Sequence, residues 1–119
     1  MDISILNVIR ELKKLNGYLG AAIFAENGKM VGGVTEVLGM NFEIAGTLFN
    51  NIYIIAENMS KEAGYGSIDL VQLNSNKGVI LCKTVLIKKK SRSIILVVEK
   101  GSNITLTKLK LAKIAESFI

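Results

Sequence analysis

The stretch GAAIFAENGKMVGG, residues 20–33, is where residue types and spacing come nearest to phosphate chemistry. A glycine-rich loop cradles phosphate when backbone amides and a helix start face the ligand, which calls for G-x-x-x-x-G-K-[ST] between a strand and a helix. Here Gly28-Lys29 stands between two apolar runs that both read as strand, and Asn27-Gly28 is a strong hairpin signal. The dinucleotide pattern G-x-G-x-x-G is missing. Gly28 is therefore read as a hairpin residue, Gly32-Gly33 before Val34 as a strand end, and Gly64 and Gly66 in AGYGS as a helix stop.

Other reaction classes fall on composition. The chain has no His, which excludes Ser-His-Asp and Cys-His relays and His-ligated metals. Its single cysteine, Cys82, sits in the apolar run Val79 to Cys82, where it reads as a small buried hydrophobe and not as a nucleophile. The acids Glu26, Glu36, Glu57, Glu62 and Asp69 show neither a spacing for acid–base work nor a cluster for Mg²⁺. The expectation is a protein without catalytic residues, metal or cofactor.

The elements follow from periodicity and punctuation. Asp2 or Ser4 can cap a helix with Ile5, Val8, Ile9, Leu12 and Leu15 on one side, ended by Asn16-Gly17. Leu19 to Ala25 and Met30 to Val34 form a hairpin around Asn27-Gly28. Asn41 caps a long helix over residues 42–63, with Glu43 in its first turn and Gly64 past its end. Ile68 to Asn74 and Val79 to Ile87 form a second hairpin, Ile94 to Glu99 a fifth strand, and a last helix starts at Asn103 or Thr105. Ile94 to Val98 is apolar at every position, as is most of Leu19 to Phe24, so both pleat faces of these strands are covered and they belong at the sheet centre. The predicted fold is a single domain, a three-layer α/β/α sandwich around a five-stranded antiparallel sheet, in the order α-β-β-α-β-β-β-α.

Charge and hydropathy bear on partners. Half of the 119 residues are hydrophobic, more than a small lone domain easily hides, which points to apolar surface buried between subunits. No apolar run approaches the roughly 18 residues of a spanning helix. Met1-Asp2 and the charges at Arg10, Glu11, Lys13 and Lys14 argue against a secretory signal, and one cysteine suits a reducing cytosol, so a cytoplasmic protein is expected. The net +5 is uneven: residues 1–60 hold four basic and six acidic side chains, residues 61–119 eleven and four. KKKSR at 88–92 reads as a solvated hairpin loop, or as a contact for acidic protein or anionic lipid through Lys88, Lys89, Lys90 and Arg92. It lacks the interleaved aromatics that stack bases, so nucleic acid is not expected.

The phrases GAAIFAENGKMV, AGTLFNNIYIIAENM (45–59) and ILVVEKGSNI (95–104), taken with the order of elements, resemble the roadblock/dynein light chain family over nearly the whole chain. The resemblance implies a profilin-like roadblock domain over residues 1–119. It implies a homodimer in which helix two and the third strand pair about a twofold axis into a continuous sheet. It also implies a regulator or scaffold for a small Ras-like GTPase. An arginine finger would need Arg10 or Arg92, the two arginines present, and Arg92 on its basic loop is the conceivable one. A small-molecule sensor of related architecture and a phosphate-handling enzyme are the alternatives.

On a helical wheel, Ala45, Leu48, Ile52, Ala56, Met59 and Ala63 form the predicted sheet-facing stripe of helix two, with Phe49 and Ile55 at its flanks. Thr47, Asn50, Asn51, Ile54, Asn58 and Lys61 lie opposite, a polar face short of charge with an isoleucine at its centre. Ile54 is either a stray exposed residue or the mark of a contact surface. With Tyr53 and Glu57 on the helix and Ile68, Leu70 and Gln72 on a little-charged third strand, these residues are the expected dimer or partner interface.

Overall fold

The structure, a computed structural model, describes residues 3–33 and 41–119. Its elements are α1 (Ile3–Lys13), β1 (Tyr18–Ala25), β2 (Met30–Gly33), α2 (Phe42–Glu62), β3 (Val71–Asn74), β4 (Gly78–Ile87), β5 (Lys90–Glu99) and α3 (Ile104–Ser117). The strands form one antiparallel sheet in the order β2-β1-β5-β4-β3. The order of elements and the central place of the two most apolar strands are those predicted from the sequence. Ile94–Val98 on β5 is buried at every position because β1 and β4 flank it and helices cover both faces.

Local chemistry sets the element ends. Gly28 takes φ +83°, which the β1–β2 turn needs, and Lys29 donates its backbone N–H to the Asn27 side chain. The Asn41 side chain accepts from the Ile44 N–H at the start of α2, and Asn103 caps α3 by accepting from the Leu106 N–H at 3.0 Å. Ser4, offered above as a cap, lies inside α1 and is buried. Asp2, Val34 and Glu36 fall outside the described residues.

The two faces of the sheet are unequally packed. On one, α1 and α3 bury Ile5, Val8, Leu12, Leu111 and Ile114 against Ile23, Leu81, Ile94, Leu96 and Val98 in the larger core. On the other, the buried cluster among the described residues comprises Ala22, Phe24, Cys82 and Ile95, with Phe49 of α2 and Met30, Val71 and Ile80 partly covering it.

Three sequence expectations need correction. β3 begins at Val71, not Ile68, because the backbone groups of Ile68 are already engaged elsewhere. The basic run is not a loop of five: Lys88 and Lys89 alone turn the chain, with φ of 50° and 66°, and Lys90 to Arg92 are already paired in β5. Two consecutive residues with positive φ match a type I′ hairpin, a turn that favours Asn-Gly. The inward side of α2 is also turned about a quarter revolution from the predicted stripe, judged at 100° per residue. Gly46, Phe49, Tyr53 and Ala56 face the sheet, while Leu48, Ile52 and Met59 do not.

Gly46 explains the rotation. A Cβ there would overlap the Phe24 ring, so the helix can seat closely on that ring only with glycine at this position. In an ordinary helix interior Gly→Ala gains roughly 1 kcal/mol. Here Gly46→Ala is expected to lose about 1–3 kcal/mol through overpacking, read as a lowered denaturation midpoint. A raised midpoint would show that α2 does not sit on Phe24.

Candidate partner interface

A clasp between α2 and the chain leading into β3 positions this surface. The Tyr53 hydroxyl donates to the Ile68 carbonyl at 3.2 Å, and the Ile68 N–H donates to the Glu57 carboxylate at 3.1 Å. Lys61, one turn on, pairs with Glu57 at 3.5 Å. From the sheet, Lys83 of β4 donates to the Asp69 carboxylate and carbonyl. Residues 68–69 are therefore tied to α2 and to β4, which uses up the backbone groups an earlier strand start would need. The Glu57 carboxyl is held below its ordinary 4.5, first by the Ile68 amide and then by the Ser67 side chain; desolvation opposes this, and the nearby Lys61 adds a lesser lowering.

The apolar face of α2 is open. Ile44, Leu48, Ile52, Ile55 and Met59 follow one another at four- and three-residue steps. Leu48, Ile55 and Met59 are 57, 60 and 68% exposed. A groove of about 500 Å³ runs along Ile44, Leu48, Phe49 and Ile52. A contiguous face of this kind exceeds the single stray apolar residues common on small domains. Beyond β3 no strand continues the sheet, so the outward backbone groups of Val71–Asn74 have no strand partner among the described residues.

The sequence-derived interface residues divide into two sets. Tyr53, Glu57 and Ile68 form the intramolecular clasp; Asn50 lines the crevice between α2 and the sheet with Phe24, Gly28 and Ser93. Leu70 packs on the larger core, and Gln72 lies on edge strand β3 with its amide on Asn74. Thr47, Asn51, Asn58 and Lys61 are exposed, and Ile54 is 49% exposed, well round the helix from the apolar face. Sequence reasoning placed Leu48, Ile52 and Met59 on the sheet-facing stripe and Ile55 at its flank, and so missed an outward apolar face whose Leu48, Ile55 and Met59 are more exposed than Ile54. The available signal was Gly46, a residue whose value lies in close approach of backbone to a neighbour.

Arg92 is likewise displaced from its expected place. It pairs with Val85 on one side and Ala25 on the other, inside the sheet and not on a mobile loop. Cys82 is buried as expected, and burial pushes its thiol up to about 12. Among the described residues no group of His, Cys, Asp and Glu could hold a metal ion, and no helix is long and apolar enough to cross a membrane.

No family model matches the chain, and no curated protein sequence matches it. Solved structures do share its architecture. MglB of Myxococcus xanthus superposes with a TM-score of 0.82 over 96% of this chain and 84% of that one, at 11% identity. The Roadblock/LC7 domain of Streptomyces avermitilis gives 0.76 over 98% and 92%, at 8% identity. The chain has the roadblock fold. The gliding protein MglB of Thermus thermophilus shares that fold at a TM-score of 0.74, over 97% of this chain and 90% of that one, with 14% identity. At such identities the roadblock architecture persists through its pattern of burial and turns, with few side chains in common.

Two measurements check the site. A group with a lowered folded-state pKa stabilises above its unfolded value, and that contribution is lost as pH falls through the folded value. The Ile68 amide resonance is therefore expected to titrate with a midpoint below 4.5 and to stop doing so in Glu57→Gln; a midpoint at or above 4.5 would contradict the clasp. Cys82 is expected to resist a thiol reagent at neutral pH until the protein unfolds, and rapid labelling of the native protein would show that β4 is less covered than described.

Proposed function

We propose that the chain is a non-enzymatic, cytoplasmic, homodimeric roadblock module that binds a small Ras-like GTPase and modulates its nucleotide cycle or its location. The observation that carries this reading is the apolar face of α2, Ile44, Leu48, Ile52, Ile55 and Met59, exposed on the same chain as the unpaired edge of β3. A second copy related by a twofold axis supplies an identical apolar face and an identical strand edge, so one operation covers both. The resemblance of the motifs to the roadblock family, and the shared fold with the MglB structures, support the GTPase as partner.

The positions of the arginines support regulation without an arginine finger. Arg92 is held within β5 and Arg10 lies on α1, across the sheet from α2, so neither is offered as a finger by the α2 surface. Any effect on hydrolysis then comes from positioning the partner's own groups. Against the sensor alternative, in which glycines and a cleft bind a ligand, stands the crevice lined by Gly28 and Gly46, which holds about 10 Å³, below the size of a small-molecule site.

Sedimentation at micromolar concentration is expected to give a dimer, and Leu48→Asp, placing a carboxylate in the apolar face, to give a folded monomer. Immobilised native protein is expected to retain a small GTPase from lysate in a nucleotide-dependent way, and the Leu48→Asp variant to retain less. A monodisperse native monomer would overturn the dimer. A thermal shift caused by a metabolite, with no GTPase retained, would favour the sensor.

A further inference from the structure

Across the sheet from α2, cationic and apolar side chains gather on one broad side. The core-facing residues of α1 and α3 leave Ile3, Leu6, Arg10 and Lys13 outward on α1, with exposed Lys14 just past its end, and Leu106, Leu109, Lys110 and Lys113 outward on α3. A groove of about 530 Å³ between the helices has Lys14, Lys110 and Lys113 on its walls together with Glu11, which pairs with Lys14 at 3.0 Å, and Leu15, Ile114 and Phe118 in its floor. The β4–β5 turn joins this side, since the Lys88 N–H donates to the Phe118 carbonyl at 2.8 Å. Lys90 and Arg92 stand opposite Ile87 and Val85, whose side chains belong to the α1–α3 core, so register puts them on the same side. Together α1 with Lys14, residues 88–92 and α3 hold ten of the fifteen basic residues and two of the ten acidic ones, a net +8 in a chain of +5.

The hairpin tip adds an independent sign. Lys88 and Lys89 occupy positive-φ positions that Asn-Gly would fill without strain. The residues at this tip are therefore not those that turn stability alone would select.

We propose that this side docks on an anionic phospholipid surface. The cations are spread over two helices and a hairpin tip and are interleaved with exposed Ile3, Leu6 and Leu109, the last 59% exposed. A headgroup layer can meet all of them at once, lysine stems lying along the apolar side chains while their ammonium groups reach phosphates. An acidic polypeptide seated in the groove would engage Lys14, Lys110 and Lys113 but leave Arg10, Lys13 and the hairpin tip unused. Nucleic acid has no stacking platform here, as Phe118 is half-buried in the groove floor. One consequence rests on the dimer reading above: paired β3 edges put both α1–α3 layers on one side of a continuous sheet and both α2 helices on the other. The lipid-facing side is then doubled, and the partner-binding side points to solvent.

Co-sedimentation of the full chain with phosphatidylcholine vesicles, with and without phosphatidylglycerol, tests the proposal. Binding is expected only to the anionic vesicles and to weaken as salt is raised. The pair Lys110→Glu and Lys113→Glu should lower partitioning at least about tenfold. Lys88→Asn with Lys89→Gly should raise the denaturation midpoint while weakening binding, a combination that a merely structural turn would not give. Equal binding to both vesicle types, undiminished binding by the lysine variants, or retention on polyglutamate with none on vesicles would each overturn the proposal. A native monomer that binds anionic vesicles selectively would keep this docking side and reject the dimer; a dimer that ignores them would do the reverse.

Discussion

The unequal covering of the two sheet faces governs the rest of this molecule. α1 and α3 between them seal one face with a continuous core, whereas among the described residues the opposite face is met by a single helix seated over Phe24. That helix cannot turn its larger apolar side chains inward, because the close approach is made at Gly46 and the space is filled by Phe49 and Tyr53. Leu48, Ile55 and Met59 are consequently left outward. Covering such side chains is favourable by about 1 kcal/mol or more each, and an interface containing both copies of the face reaches the order of the roughly 4–15 kcal/mol that association costs. In the homodimer proposed above, self-association completes this second face.

The clasp through Tyr53, Glu57 and Ile68 fixes where that open face is displayed. The seat of Gly46 on Phe24 decides which side of α2 faces the sheet, and the clasp holds that rotation with two hydrogen bonds to one residue. The same bonds delay the start of β3 to Val71 and keep the edge strand short. A short edge limits promiscuous strand pairing, so the chain presents an association surface without a long adhesive rim.

Much of the architecture was legible in the sequence because turns and strands are strongly punctuated. Asn27-Gly28, Ser75 to Gly78 and Gly64 bound the elements, and the unbroken apolar run of Ile94 to Val98 identifies the central strand without knowledge of its neighbours. The rotation of α2 was not legible. Two apolar arcs share that helix, and hydrophobicity favours the arc with the bulkier residues, whereas the contact with Phe24 is decided by the absence of a side chain at Gly46. The hairpin at Lys88-Lys89 was hidden for a related reason: a run of cations looks like a loop, and only backbone pairing shows that most of it is strand.

Coverage of the outward face of α2 in solution is the claim on which the dimer and the partner surface both depend. Solvent paramagnetic relaxation of the methyl groups of Leu48, Ile55 and Met59, followed as the protein is diluted, measures this directly. Shielding at micromolar concentration, giving way to exposure on dilution while the α1–α3 core methyls stay protected, is the expected result. Methyl groups equally open to the probe at every concentration would contradict it.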